Sequence, residues 1–540
     1  MKSAASPSRS YSRPHPFAFI LILIVAAAAA LMTGCGSSSG SSGQKLSGST
    51  TVTVLLSSTA NDQLSQFDVG FTSLTLTSQA GNTVTLLPAA APGSGPGAEF
   101  VQMNGTAEPL LAANIPQDVY TSATLTLTGA QFVCIELYPG TGGLGTLDTS
   151  TYNDGGVPDS NVTVSLPSPI TVTGTSMGLA LNMLVSQSAT YSACYTPNGF
   201  SSWSITPTFT LTASTFASQP TNSANGKVTG LDGEITSIGA GGSTFTLTIP
   251  SAEGSRTVSL SANANTAYQG ISGSSVLAVG TLVDMDGAIQ PDGSILATRI
   301  AVEDPSAPDM LSGPMIEVYG SASTVLMLPR RQQGQDFSCC HQGGSIQVTY
   351  NNAAFQISGQ LANLGTLPFV PSFSAANMVP GQNVYISVPT YSWTSGRPAA
   401  STLTLIPQTI NGTVLSSSQS GNFTDYTVSL ASYDLFPMLA VQPGQAAVEN
   451  NPSQVEVYVD NNTQLVNSKT LAAGKTFRFY GLVFNDNGTL RMDCAQVNDG
   501  VTDSSQSDSK EHVTLHGGNV QTELIKGPAG INRRNTTVTH

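Results

Sequence analysis

Charged residues are scarce in this 540-residue chain, since Asp, Glu, Lys and Arg together make up only 9% of it. Basic residues are the scarcer kind: 18 Lys and Arg face 32 Asp and Glu, which gives a formal net charge of −14. Nucleic acids and anionic lipid surfaces attract clustered positive charge, so the composition disfavours both as partners. The chain is also too long for one hydrophobic core, which predicts several domains.

Histidine is equally rare and is dispersed, which disfavours most metal and acid–base sites. Beyond residue 34 the histidines are His341, His512, His516 and His540. His341 follows Cys339 and Cys340, but adjacent residues rarely direct three side chains to one ion. Gly174-Thr175-Ser176-Met177-Gly178 matches the Gly-x-Ser-x-Gly pattern of serine nucleophiles, yet a strand-like run follows where that motif needs a helix. We therefore predict no catalytic residues.

Glycine and proline are abundant, at 53 and 31 residues, and between them short runs alternate apolar residues with Thr or Ser. Such alternation is typical of half-buried β-strands separated by turns. The sequence predicts an all-β protein, with an antiparallel β-sandwich over 49–213. The polar segment 502–540 has no apolar periodicity and is predicted to be disordered.

The N-terminus has the features of an export signal. Lys2, Arg9 and Arg13 precede an unbroken apolar run from Phe17 to Met32. A run of this length can also nearly span a bilayer, which leaves an uncleaved signal anchor as an alternative. In either case the sequence predicts a chain that is exported and tethered to a membrane.

The end of the apolar run, Leu31-Met32-Thr33-Gly34-Cys35, resembles the lipobox of bacterial lipoproteins. The resemblance implies that residues 1–34 are a signal peptide and that Cys35 becomes a lipid-modified first residue, anchored by its acyl chains. Residues 35–48, which include a Gly/Ser tract, would then be a flexible tether. Position 36 is not Asp, which in lipoprotein sorting implies the outer membrane or the cell surface.

The predicted sandwich carries a second resemblance. The strand Thr51-Val52-Thr53-Val54, the segment 100–105 and the run 115–127 are similar to the DUF4382 domain, an uncharacterised module of bacterial lipoproteins. That family has no known catalysis to transfer. The later strand Leu181-Asn182-Met183-Leu184 also lacks the acidic residues that are usual at its position.

A third resemblance covers residues 226–303. Gly226-Lys227-Val228-Thr229-Gly230 opens this unit, and Val279-Gly280-Thr281-Leu282-Val283 and Asp292-Gly293 lie near its end, as in the small β-barrel-like DUF5666 domain. The same plan recurs from Ile410-Asn411-Gly412-Thr413-Val414 onwards, and a more degenerate copy includes 379–386. The resemblance therefore implies about three small β-barrel-like, DUF5666-like modules in series after the sandwich, over 226–303, 314–408 and 409–500.

Five cysteines follow Cys35, in a compartment that permits disulfides. Cys134 and Cys194 share the predicted sandwich and are a candidate pair. Cys340 is a candidate partner for Cys494, because it is unlikely to pair with its neighbour without strain.

Two further groups could bind ligands. Asp148, Asp154 and Asp159 belong to one predicted loop whose oxygen atoms could bind calcium, although turn hydrogen bonding explains the same residues. Asp284 and Asp286 are interpreted in the same way, as hairpin-turn residues. The candidates for an aromatic sugar platform are Trp203, Tyr391 and Trp393, although aromatic residues on strands more often pack within the sheet.

These features together predict a non-catalytic surface scaffold or binding protein. A lipid anchor and a flexible tether would present its β-modules to an extracellular polymer, a glycan or an envelope protein. No cofactor is predicted other than the calcium considered above. The alternative is an envelope hydrolase or metal-dependent enzyme whose site is assembled from separate loops.

Overall fold

The computed structural model describes residues 46–499 with internal gaps, together with 520–522 and 536–538. The chain divides into two units, Met1–Leu46 and Ser47–His540, and every strand below belongs to the second. No helix among the described residues is long and apolar enough to cross a membrane. The gaps are 60–63, 92–94, 102, 104–106, 139–145, 154–159, 192–201, 215–228, 250, 252–253, 290–294, 303–308, 334–345, 359–363, 390–397, 432–433, 440–449 and 467–469.

The described part of residues 49–214 forms a β-sandwich, but not the wholly antiparallel one that the sequence predicts, because two of its strands pair in parallel. Its elements are β1 (Ser49–Ser58), β2 (Leu64–Ser78), β3 (Thr83–Leu87), β4 (Gly97–Glu99), β5 (Glu108–Pro116), β6 (Val119–Tyr138), β7 (Thr146–Asn153), β8 (Ser160–Val164), β9 (Ile170–Thr171), β10 (Ser176–Met183), α1 (Val185–Ser188), β11 (Ala189–Tyr191), β12 (Trp203–Ile205) and β13 (Phe209–Ser214). One sheet has the order β13-β10-β1-β5, with β1 and β10 parallel. The other has the order β3-β2-β6-β7, with β4, β8 and β9 added at its central strands.

The alternation of apolar and polar residues explains how the sandwich forms its core. On β2, Leu74 and Leu76 are fully buried, whereas Thr75 and Thr77 are partly exposed on the opposite face. The core between the sheets also contains a cluster of aromatic rings that meet edge to face, formed by Phe71, Phe100 and Phe209. Thr therefore takes the outer positions that charged residues occupy in most antiparallel sheets.

The described part of residues 229–499 forms three β-barrel-like modules. Module A contains β14 (Thr229–Ile238), β15 (Thr244–Ile249), β16 (Arg256–Ser261), β17 (Ala267–Gln269), β18 (Leu282–Ile289) and β19 (Ile295–Ala301). Module B contains β20 (Asp309–Tyr319), β21 (Thr324–Met327), β22 (Arg331–Gln333), β23 (Ile346–Thr349), β24 (Ala354–Ile357), β25 (Asn383–Val388) and β26 (Thr402–Leu405). Module C contains β27 (Gln408–Ser420), β28 (Phe423–Leu430), α2 (Leu435–Leu439), β29 (Gln454–Val459), β30 (Gln464–Val466), β31 (Thr476–Asp486) and β32 (Thr489–Asp499).

The three modules share one strand order. The sheets run β16-β15-β14-β18-β19-β17 in module A, β23-β21-β20-β25-β26-β24 in module B and β29-β28-β27-β31-β32-β30 in module C. Parallel pairing of β16 with β19, and of β29 with β32, closes the first and third sheets on themselves. In module B the added strand β22 pairs with β20. Module B also begins at Asp309, earlier than the predicted boundary at residue 314.

The strand registers correct the predicted alignment of the repeats. Sequence comparison matched the segment 226–230 with Ile410-Asn411-Gly412-Thr413-Val414. In the structure Gly233 pairs with Val283 on β18, and Gly412 pairs with Phe477 on β31. The strands β18 and β31 hold the same place in the sheet orders of modules A and C. The glycine that corresponds to Gly412 is therefore Gly233, and in module B it is Gly313.

One steric reason explains why glycine occupies all three positions. A Cβ atom on Gly233 would lie 2.7 Å from the carbonyl oxygen of Thr248, and one on Gly412 would lie 2.5 Å from that of Ser429. A Cβ on Gly313 would lie closer still to a backbone oxygen of its own module. Each first strand therefore crosses its second strand at a distance that only glycine permits.

Each module has an apolar cluster of its own, but these clusters extend across the boundaries between modules. The apolar cluster of module B includes Leu482 and Phe484 of module C, and Phe369 of module B packs against Phe484 with ring centroids 5.6 Å apart. Leu55 of the sandwich belongs to the core of module A. Among the described residues, apolar contacts thus join the modules that the sequence predicts in series.

Two short strands occur in the segment predicted to be disordered. They are β33 (Val520–Thr522) and β34 (Thr536–Val538), which pair in antiparallel fashion. Both contain Thr and Val, which favour extended backbone, so a pair of strands forms where composition alone indicated none.

Candidate functional site

A group of carboxylates lies on the outer face of module A. On β18, Val283 and Met285 point into the core of the module. Because side chains on a strand alternate between faces, Asp284 and Asp286 point out of the barrel, and Asp232 on β14 pairs with Asp284 in register. The structure therefore contradicts the interpretation of Asp284 and Asp286 as turn residues, since both belong to a strand.

Arg299 on β19 forms ion pairs with two of these carboxylates. Its Nε donates to Oδ2 of Asp286 at 2.7 Å, and its Nη2 donates to Asp284. Arg299 and Asp284 are 3% exposed, and Asp286 is fully buried. Burial alone would lower the pKa of Arg299, but the charges of Asp284 and Asp286 outweigh it and raise that pKa, so the guanidinium stays charged.

Tyr480, on β31 of module C, lies close to the same charged residues of module A. Burial raises the pKa of its hydroxyl well above the ordinary value, and the charges of Asp286, Asp284 and Asp232 raise it further. Arg299 has the opposite, smaller effect. Tyr480 is therefore a neutral group beside buried charges. We call these residues the junction cluster: Asp232, Asp284, Asp286, Arg299 and Tyr480.

Equivalent outer positions are buried in the other two modules. Ser312 and Asn411 occupy the position of Asp232, each just before the repeated glycine, and Oγ of Ser312 donates to Oδ2 of Asp232 at 3.4 Å. On module C, Arg478 is 1% exposed and donates to the backbone carbonyl of Ser58 in the sandwich. The same face of the repeat therefore forms the contacts between modules.

A second buried ion pair joins module A to the sandwich. Arg256 on β16 pairs with Glu108 on β5, and its Nη1 also donates to the carbonyl of Gly97 at 3.3 Å. Nearby, Oγ of Ser251 donates to Oδ1 of Asp68 at 3.1 Å. Both charges of the ion pair are about 2% exposed, so each depends on the other for compensation.

A third group of charges, on module C, is partly open to solvent. Arg491 pairs through Nη1 with Oε2 of Glu456 at 2.6 Å and through Nε with Oδ2 of Asp486 at 2.8 Å. Its guanidinium lies 5.5 Å from the ring centroid of Phe369 in module B. The side chain of Arg491 is 24% exposed, so water screens these pairs far more than those of the junction cluster.

Glu317 on β20 is a buried carboxyl whose hydrogen-bond partner is a tyrosine, whereas the carboxylates in the ion pairs above contact arginines. It is 2% exposed, and its hydrogen bond comes from the hydroxyl of Tyr319. Burial raises the pKa of Glu317 from 4.5 to about 7. Below about pH 7 the neutral carboxylic acid is therefore the form that the folded protein favours.

We expect this burial to make stability depend on pH. Because the folded pKa of Glu317 is the higher one, its stabilising effect is complete below about pH 4.5 and is lost as the pH rises through about 7. Relative to Glu317→Gln, the free energy of unfolding of the wild type should fall by on the order of 3 kcal/mol across this range. Urea unfolding at pH 4.5, 6 and 8 measures it.

The exposed residue Glu234 provides the matched control for that series. Glu234→Gln should follow the wild-type curve, because its carboxylate keeps its contact with water. If Glu317→Gln and the wild type lose stability in parallel between pH 4.5 and 8, the buried carboxyl does not titrate as described.

The cysteines give a mixed outcome. Cys134 is disulfide-bonded, and its predicted partner Cys194 lies outside the described residues. Cys494 is a free thiol, so its predicted pairing with Cys340 is wrong. The reason is its place on β32, where the side chain is buried in the core of module C and Sγ lies 3.3 Å from the carbonyl oxygen of Gln496. Cys340 and the lipidation candidate Cys35 lie outside the described residues.

The calcium candidates do not form one described loop. Asp148 belongs to the strand β7, where it pairs in register with Glu136, so its placement in a loop is corrected. Asp154 and Asp159 lie outside the described residues. No group of three or more His, Cys, Asp or Glu side chains that could hold a metal ion occurs in the described part of the chain.

One aromatic candidate is described. Trp203 on β12 is 41% exposed and pairs in register with Tyr191 on β11. Tyr391 and Trp393 lie outside the described residues. Ser176, in the Gly-x-Ser-x-Gly match, begins β10, and the chain continues as a strand to Met183. The helix of a nucleophile elbow does not follow this serine.

Sequence reasoning did not find the junction cluster. The available signal was the run Val283-Asp284-Met285-Asp286, in which acidic residues alternate with apolar ones at the period of a strand. Arg299, which follows later in a strand, was the second part of this signal, because it could supply the compensating positive charge. Their neighbours on other modules could not be read from local sequence.

Comparison with known families identifies one of the modules. Residues 232–301 match DUF5666, a domain of unknown function. The matched range lies within module A and confirms the resemblance on which its prediction rested. Modules B and C have the same strand order as module A. No curated protein matches the chain.

Proposed function

We propose that this protein is a non-catalytic scaffold of the bacterial cell envelope that presents β-sheet surfaces to an external partner. The observation that carries the proposal is the way in which buried arginines are compensated by carboxylates. Arg299 and Arg256 are each neutralised by carboxylates at contacts between modules. Charges compensated in this way are costly to separate, so they tie together the residues that bury them and are not presented to a substrate.

The repeated architecture supports the same proposal. Three modules of one strand order join through equivalent faces, and the sandwich contacts modules A and C. An extended partner can contact several sheet surfaces of such an assembly at once, which raises its overall affinity without a deep pocket. We propose that modules B and C also descend from DUF5666 and that residues 49–213 are a DUF4382-like domain.

The proposed location rests on the N-terminal sequence. The basic residues, the apolar run and Cys35 are those of a lipoprotein signal. Two or more acyl chains on Cys35 would hold the protein stably on a membrane, because each buried methylene contributes about 0.8 kcal/mol. We propose the outer membrane, with the folded modules on the cell surface.

We expect Cys35→Ser to abolish anchoring. Protease added to intact cells should degrade the wild-type protein, whereas the variant should be released into the medium or accumulate as an unprocessed precursor. Immunoblots of intact cells, lysed cells and medium measure the three fates. Ser38→Ala, three residues away in the Gly/Ser tract, is the matched control and should behave as the wild type.

Two results would contradict this proposal. Wild-type protein that resists protease until the envelope is opened would exclude display on the cell surface. A Cys35→Ser variant that remains in the membrane fraction at its wild-type size would exclude lipid anchoring.

A further inference from the structure

The outer face of the second sheet of the sandwich carries a regular array of hydroxyl groups. Threonine and serine occupy alternate positions on three adjacent strands, and the buried residues between them are apolar. We call this surface the hydroxyl face. It consists of Ser73, Thr75 and Thr77 on β2, Thr83 and Thr85 on β3, and Ser122, Thr124 and Thr126 on β6.

The strand registers align these hydroxyls in rows. Thr75 lies opposite both Thr85 and Thr124, so three threonines form one row across three strands. Thr77 forms the next row with Thr83 and Ser122. Neighbours within a row are about 4.8 Å apart and successive rows about 7 Å apart, from the geometry of a β-sheet.

The hydroxyl face is accessible to solvent, and the conformations of its side chains are restricted. Thr83, Thr85, Ser122 and Thr124 are exposed, and the other members are partly exposed. Threonine is β-branched and therefore has few χ1 rotamers in a strand. Some hydroxyls also bond to one another, as Ser73 does to Thr126 at 2.8 Å. Little side-chain entropy would be lost when a ligand binds to such a surface.

The composition of the face selects among classes of partner. Residues 73–85 and 122–126 contain no charged residue, so the face offers no ion pair to nucleic acid or to a charged polymer. It also lacks the exposed aromatic or aliphatic centre that a protein partner needs. Each hydroxyl is both a donor and an acceptor, which complements other hydroxyls.

From this chemistry we infer that the hydroxyl face binds a neutral polysaccharide chain, whose sugar hydroxyls exchange hydrogen bonds with the rows of threonine and serine. The inference deepens the scaffold proposal and rests on it by naming its partner class. Each contact is weak, so binding depends on the number of rows that one chain covers.

Affinity electrophoresis of the full-length protein tests the inference. Native gels would contain hydroxyethylcellulose or soluble starch as neutral polymers, alginate as an anionic one, or no polymer. At least one neutral polymer should retard the wild type, and alginate should not. Thr75→Val, Thr85→Val and Thr124→Val together should weaken retardation at least about tenfold, because three hydroxyls are lost while side-chain shape is kept.

The matched control removes three hydroxyls elsewhere. Thr190, Thr212 and Thr244 are exposed threonines on other strands, and their triple valine variant should bind as the wild type. If the first variant fails to fold, Thr75→Ser, Thr85→Ser and Thr124→Ser provide a second test, since they keep the hydroxyls and should keep binding.

Three outcomes would overturn the inference: no retardation of the wild type by either neutral polymer, retardation by alginate as strong as that by a neutral polymer, or equal loss of binding in the control variant. These results leave surface display untouched, because protease treatment of intact cells measures it separately. Loss of display with retained polymer binding would instead contradict only the proposed location.

Discussion

Replacing Arg299 with methionine should lower the free energy of unfolding by about 3–5 kcal/mol, the range for breaking a buried ion pair from one side. The substitution keeps an apolar side chain of similar length but leaves Asp284 and Asp286 without their cation. Both carboxylates are buried where Tyr480 of module C approaches, so water cannot replace the guanidinium. Urea unfolding monitored by circular dichroism measures the loss.

Two comparisons separate the burial of charge from the loss of an arginine. Arg491→Met removes a guanidinium that also contacts two carboxylates, but its side chain is 24% exposed, so we expect a loss of about 1 kcal/mol or less. Adding Asp284→Asn and Asp286→Asn to Arg299→Met should recover much of the lost stability, because the two carboxylates that Arg299 compensated no longer carry a charge. Equal losses in Arg299→Met and Arg491→Met would contradict the role assigned to the junction cluster.

Gly412→Ala should destabilise the protein by about 2–3 kcal/mol, a typical cost of forcing atoms into a closely packed site. Its Cβ would lie 2.5 Å from the carbonyl oxygen of Ser429, and a backbone atom cannot move aside as a flexible side chain can. Gly233→Ala should have a similar effect in module A, because its Cβ meets the carbonyl oxygen of Thr248. Thermal and urea unfolding measure both variants.

Gly320→Ala is the matched control for the glycine variants. A Cβ at Gly320 would meet no atom within 4 Å, and its backbone conformation is open to other residues. Alanine there should be neutral or should stabilise by up to about 1 kcal/mol, because it restricts the unfolded chain. A loss at Gly320 as large as that at Gly412 would show that strand crossing is not the cause.

The alternation of short apolar and Thr/Ser runs was sufficient to predict the all-β class and the sandwich, whereas the barrel-like modules were predicted from the resemblance to DUF5666. Sequence comparison failed on register. The repeats were aligned through Gly226–Gly230, whereas strand pairing matches Gly233 with Gly412, because many Gly-rich openings look alike in one dimension. The pairing of Cys494 was wrong for a related reason: spacing along the chain does not show which side chains point into a core.

The sequence also placed some of the candidate site residues correctly and others incorrectly. Trp203 was identified from sequence and is exposed, but Asp284 and Asp286 were interpreted as turn residues and Asp148 as a loop residue. Asp and Asn are common in turns, and local sequence cannot show when strand pairing places them inside a sheet instead. Their role depends on Arg299, thirteen or more residues away.

The sequence by itself determined the fold class and the repetition of the modules, because the alternation of apolar side chains is a local property that sheet formation must satisfy. It also carries the features from which export and lipid anchoring are predicted. Only the tertiary structure decided which outer faces are buried between modules, which charges compensate one another there, and which threonines form rows across strands. Those outcomes depend on contacts between residues far apart in the chain, and burial, which gives each charge its energetic consequence, exists only after the modules have packed together.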